Sequence, residues 1–182
     1  MSRSQIFKFK IVVIGDGGVG KTSLIRKFTQ GSFQNDYIKT IGAQFTKLEE
    51  EIDGDKISLI FWDIAGQSSY DFLNPLFYRE SRACIIVYSL EENELGTDSF
   101  KHIVNWHDEL KMRCGNIPVV IFANKVDLIE ESDLDISKIQ MIVNKLNLFS
   151  YYITSAKTGQ GVNEAFSAII EKLYKKSKAL TS

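Results

Sequence analysis

Gly15-Asp16-Gly17-Gly18-Val19-Gly20-Lys21-Thr22 satisfies G-x-x-x-x-G-K-[ST] at every fixed position. These residue types suit the holding of a chain of phosphates. Glycines let the backbone close around a bulky anion and turn successive N–H groups toward it. A helix opening at the end of the run adds the positive end of its dipole. Lys21 carries a mobile charge for the β- and γ-phosphates, and the Thr22 hydroxyl is a ligand for Mg²⁺. Asp16, Gly17, Gly18, Val19, Gly20, Lys21, Thr22 and Ser23 are therefore the candidate phosphate contacts.

A phosphate loop does not choose between bases. Asn124-Lys125-Val126-Asp127 directly follows an apolar run of strand length, where ligand-binding loops of α/β sheets lie. The Asp127 carboxylate can accept from guanine N1–H and its 2-amino group. Adenine offers neither donor there and would leave the carboxylate unpaired. Asn124 is suited to tying neighbouring loops together, and the Lys125 stem to covering a flat base. Ser155, Ala156 and Lys157 follow the last apolar run, with backbone N–H groups that can reach guanine O6. In Trp62-Asp63-Ile64-Ala65-Gly66-Gln67, Asp63 is placed to hold Mg²⁺, Gly66 to offer its N–H to the γ-phosphate, and Gln67 to orient the attacking water.

Alternating strand-length and helix-period segments predict the elements that position these residues, and with them an α/β fold with a largely parallel sheet. Strands are expected over Phe7–Ile14, Ala43–Ile52, Lys56–Asp63, Ala83–Ser89, Ile117–Ala123 and Phe149–Thr154. Asp53-Gly54 joins the second and third as an antiparallel hairpin. Helices are expected near Gly20–Gln30, Ser99–Arg113 and Asp135–Leu146, with a last one carrying Val162, Phe166, Ile169, Ile170 and Leu173 as a core stripe. His102 and His107 have no cysteine or third ligand nearby, so neither is expected to bind a metal.

The chain has 182 residues, the size of one domain, and a net charge of −1, which excludes a broadly basic nucleic-acid binder. Two cysteines, Cys84 and Cys114, are too few for a disulfide framework. The first residues have no apolar run of the secretory kind, and no run approaches the roughly 20 residues of a spanning helix. A cytoplasmic setting is expected.

With these motifs in this order, the chain resembles the Ras-superfamily small GTPases over about residues 7–175. The resemblance implies a P-loop G domain with a six-stranded mixed sheet and five helices, followed by a short basic tail over 176–182. It implies a molecular switch that binds GTP or GDP with Mg²⁺ and hydrolyses GTP, slowly without an activating partner. It also implies a switch I segment over Gly31–Gly42, with Thr40 binding Mg²⁺ and the γ-phosphate, Phe33 edge-on to guanine and Tyr37 near the phosphates. Switch II would run from Gly66 to about Tyr78. Lys21, Thr40 and Gln67 would be the catalytic set, and Thr22, Thr40 and Asp63 the metal ligands.

Thr40-Ile41-Gly42-Ala43-Gln44-Phe45 and Phe61-Trp62-Asp63 are most similar to the Rab branch, which implies a trafficking or signalling role. Gln44, Gln67-Ser68-Ser69-Tyr70 and a short insertion at Glu94–Thr97 depart from that branch. Phe45, Trp62 and Phe77 match the aromatic triad that Rab proteins present to effectors; plain packing between the hairpin and switch II would use the same residue types. The expected partners are an effector, an exchange factor and a GTPase-activating protein, with the chain itself a monomer and no nucleic acid involved. The tail has no cysteine to prenylate, so no stable membrane anchor is expected in this chain, and its lysines suit a solvated helix end. A GTP-dependent binding module with negligible hydrolysis is the competing function, and a P-loop kinase or ATPase a more distant one.

Overall fold

The computed structural model describes residues 4–33, 40–65 and 74–181. Six strands, β1 (Ile6–Ile14), β2 (Ala43–Ile52), β3 (Asp55–Ile64), β4 (Ala83–Ser89), β5 (Val119–Asn124) and β6 (Ser150–Thr154), form one sheet in the order β2-β3-β1-β4-β5-β6. Only β2 and β3 pair antiparallel. Their turn is Asp53-Gly54, with φ of 53° and 81°. Two positive φ values in succession are what a tight hairpin needs and what Asp-Gly tolerates.

The helices are α1 (Lys21–Gln30), α2 (Asn74–Tyr78), α3 (Glu94–Lys101), α4 (Ile103–Cys114), α5 (Ile136–Leu146) and α6 (Val162–Ala179). α3 and α4 are one bent helix: the His102 N–H donates to Asp98 O at 2.9 Å and the Trp106 N–H to His102 O at 3.0 Å, so the ladder runs through the junction. Counted that way there are five helices among the described residues. Glu94–Thr97 is the first turn of α3, capped by the Asn93 side chain, which accepts from the Gly96 N–H. α6 carries the expected tail in helical form as far as Ala179.

Side chains alternate across the sheet. Phe7, Phe9, Ile11 and Val13 of β1 face α1 and α6, whereas Val12 and Ile14 share the opposite core with residues of α2, α4 and α5. β4 and β5 are buried on both faces, which explains why they read as continuous apolar runs. Phe166 of α6 is the hub of one face: it stacks on Phe28 of α1 at 4.4 Å and meets Phe61 and Phe122 edge-on. With both faces covered, the loops at the carboxyl ends of β1, β3, β5 and β6 come together at one rim.

Candidate nucleotide site

The loop after β1 is shaped by close approach. Gly15 has φ of +134°, and a Cβ there would lie 2.1 Å from the Val87 carbonyl oxygen. Gly20, at φ +99°, passes so close to Asn124 that a Cβ would meet its Nδ2 at 2.3 Å. α1 starts at Lys21 with no side-chain cap on its first N–H groups. Lys21 is only 6% exposed, and its ammonium donates to the carbonyls of Gly15 at 2.8 Å and Asp16 at 2.7 Å. Burial lowers its pKa to about 8, against the opposing pull of Asp63 and Asp16. That buried ammonium favours an anion brought beside it.

Three side-chain oxygens converge next to it. Thr22 Oγ1 hydrogen-bonds to Asp63 Oδ2 and lies 2.8 Å from Thr40 Oγ1. Burial pushes the Asp63 carboxyl up, and Thr22, Lys21 and Thr40 offset it. Asp63 Oδ1 is buried with no partner among the described residues. An orphaned carboxylate oxygen beside two hydroxyls is a hard oxygen donor set that fits Mg²⁺.

At the base end, Asn124 is the joint. It is 1% exposed, its Nδ2 donates to Val19 O at 2.8 Å, and its Oδ1 accepts from the Ala156 N–H at 3.1 Å and from Thr154 Oγ1 at 3.3 Å. One side chain therefore fastens the phosphate loop to both base loops. Asp127 projects from a short 3₁₀ turn; its Oδ1 accepts from Ser155 Oγ at 2.5 Å and its Oδ2 lies 4.0 Å from the Lys157 ammonium. The Ser155 N–H is committed to Gln160 O, so a base carbonyl would compete with Asn124 for the Ala156 N–H. Lys125, at φ +71°, hydrogen-bonds to Glu91.

The structure thus brings together residues 16–23, Thr40, Asp63, Asn124, Lys125, Asp127 and 155–157. Phe33 is half-buried, packed against the core on the α1 and α6 face of the sheet. Tyr37, Gly66 and Gln67 lie outside the described residues, as do the rest of 34–39 in switch I and of 66–73 in switch II. Three contacts have no signature in the sequence. Asp16 accepts from His102 Nδ1 at 2.6 Å and from Trp106 Nε1 at 2.8 Å, which ties the phosphate loop to the α3/α4 junction. Glu91 holds Lys125 and accepts from Ser89 Oγ at 2.8 Å. Separations of 86, 90 and 34 residues leave no local pattern to read.

The aromatic triad is real as a contact. Trp62 sits between Phe45 and Phe77 at 6.0 and 5.7 Å, and Phe45 is 71% exposed. No helix among the described residues is long and apolar enough to cross a membrane.

Comparison with known proteins agrees with this geometry. The Ras family profile matches residues 10–175. The chain is 34% identical over 170 residues to the Ras-related protein Rab-21 of Bos taurus, covering 93% of this chain and 74% of that one. The human protein of the same name matches at 34% over 170 residues, covering 93% of this chain and 73% of its own.

Proposed function

The chain belongs to the Ras family and is a small GTPase switch working with GTP, GDP and Mg²⁺, and from that premise we propose which of its residues do the work. The carrying observation is the joint at Asn124, which holds the phosphate loop and the base loops in one rigid arrangement. Asp16 to Ser23 cradle the phosphates through backbone N–H groups, with the buried Lys21 ammonium against the β- and γ-phosphates. Asp127 reads the guanine edge with Ser155 Oγ steadying it, the Lys125 stem covers the ring, and the N–H groups of Ala156 and Lys157 serve its O6, with Phe33 at the ring edge. Thr22, Thr40 and Asp63 hold Mg²⁺, which when bound neutralises charge on the phosphate oxygens. Gln67 orients the attacking water, and Gly66, Thr40 and Tyr37 form the γ-phosphate side of the site.

The effector face is proposed at Phe45, Trp62 and Phe77, extended in sequence by the exposed Ile41 and Leu76. A solvent-facing aromatic beside two half-buried ones suits a partner's apolar anchor. The switch acts as a monomer in the cytoplasm, in Rab-like trafficking or signalling. Single-turnover hydrolysis tests the assignment. GTP should be cleaved and ATP not, and Gln67→Leu should slow cleavage while leaving nucleotide affinity within about twofold, because the loss falls on the transition state alone. An unchanged rate in Gln67→Leu would remove the role given to that residue.

A further inference from the structure

At the far end of the sheet from the nucleotide rim lies a cavity of about 680 Å³, in the size range of small-molecule sites. It opens between the end of α4, the loop into β5, the loop into β6 and the outer half of α6. Its floor includes Leu110, Val119 and Leu148, all buried, and Phe149. Lys111, Lys172 and Lys176 line it, and no acidic residue does.

The lysines of α6 divide in a telling way. Lys175 is paired with Glu171 at 2.9 Å, and Lys178 with Asp55. The two without an ion pair among the described residues, Lys172 and Lys176, are the two that line the cavity. Lys172 holds its ammonium 4.3 Å from the Phe149 ring centroid. The carboxyl ends of α4 and α5 reach this rim at Gly115 and Asn147. Lys111 serves the dipole of α4 and Lys176 that of α6, as last-turn lysines do, but Lys172 lies mid-helix on α6 and serves no helix end. An excess of cations therefore lines a largely polar opening, in a chain whose net charge is −1.

We propose that this cavity is a binding site for a polyphosphorylated ring headgroup, with Lys111, Lys172 and Lys176 meeting its phosphates and Asn116 and Asn147, on the same rim, meeting the ring hydroxyls. A lipid headgroup and a free inositol phosphate share that chemistry. The site lies across the sheet from the guanine loop, since β5 and β6 enter at the cavity and leave at Asn124 and Thr154.

The test uses the full chain loaded with GDP and Mg²⁺, so that the phosphate loop is already occupied. Inositol 1,4,5-trisphosphate is titrated and followed by backbone amide NMR. Saturable shifts are expected at 107–119, 146–149 and 172–176, with residues 15–23 still. Lys111→Gln, Lys172→Gln and Lys176→Gln should each weaken binding about fivefold, and Lys175→Gln, the same charge change off the cavity, should leave it unchanged. Sedimentation with vesicles bearing the same headgroup, against phosphatidylserine vesicles of equal charge, separates the sources. Selective retention points to the lipid, and solution binding without retention to the free phosphate. Equal weakening by all four variants, or no saturation below millimolar headgroup, would overturn the proposal.

Discussion

Asn124→Ala isolates the joint on which the site rests. The substitution removes the donor to Val19 O and the acceptor for the Ala156 N–H, in a position that is 1% exposed. Thr154 Oγ1 keeps its second contact, to Ala123 O at 3.4 Å. In the nucleotide-free chain two buried backbone groups, the Val19 carbonyl and the Ala156 N–H, are left unsatisfied at about 1–3 kcal/mol each, so the loss there is about 2–6 kcal/mol, and with nucleotide bound the Val19 carbonyl remains unsatisfied. Part of it falls on folding and part on nucleotide retention, because the phosphate and base loops are no longer fastened together. Release of a fluorescent GDP analogue in excess Mg²⁺ should quicken about 100-fold, equivalent to about 2.7 kcal/mol. Asn124→Asp sharpens the reading: it keeps an acceptor for Ala156 but sets a carboxylate oxygen against Val19 O, so release should quicken comparably. Release within about twofold of the unmodified chain in both variants would refute the joint.

Lys21 should make the nucleotide-free chain more stable as pH rises. Its folded pKa of about 8 lies below the ordinary 10.5, so between those values the unfolded chain binds more protons and stability climbs with pH, by about 3 kcal/mol in all. Urea unfolding at pH 7 and pH 10 measures it, and Lys21→Met should lack that increment. Gly15→Ala should destabilise the chain by about 3 kcal/mol or more, since its Cβ would overlap a backbone oxygen at 2.1 Å; an unchanged thermal midpoint would contradict the packing. Asp55 is held below the usual carboxylate range by Lys178, with help from the Gln5 N–H and Tyr174. Its contribution is full above that range and lost as pH falls through its lowered pKa, so Asp55→Asn should flatten the acid limb of the stability profile.

The parts of the fold legible in sequence are those with a local physical cause. Asp53-Gly54 could be read because a tight turn needs two positive φ values, and β4 because a strand buried on both faces has no polar alternation. The phosphate loop was legible for the same reason: few residues besides glycine survive at Gly15 and Gly20. The start of α3 was not, because Gly96 looks like a breaker. It is there because a Cβ would strike Glu91 O at 1.8 Å. β5 begins at Val119 rather than Ile117, since Pro118 can accept from Cys84 but has no N–H to donate. The braces on the site, His102 and Trp106 on Asp16 and Glu91 on Lys125, arise only when helices and loops distant in sequence are packed together.

The most direct test of the account is the nucleotide preference of Asp127→Asn. Asp127 faces the site through a short turn, with its carboxylate steadied by Ser155 at 2.5 Å and Lys157 at 4.0 Å. The amide can donate where the carboxylate only accepts. Competition between GTP and xanthosine triphosphate for the Mg²⁺-loaded variant should therefore reverse in favour of the xanthine nucleotide, with GTP weakened by about 100-fold or more, the scale on which mismatched polar sites discriminate. Undiminished preference for GTP in Asp127→Asn would contradict the placement of the base, and with it the arrangement of the whole site.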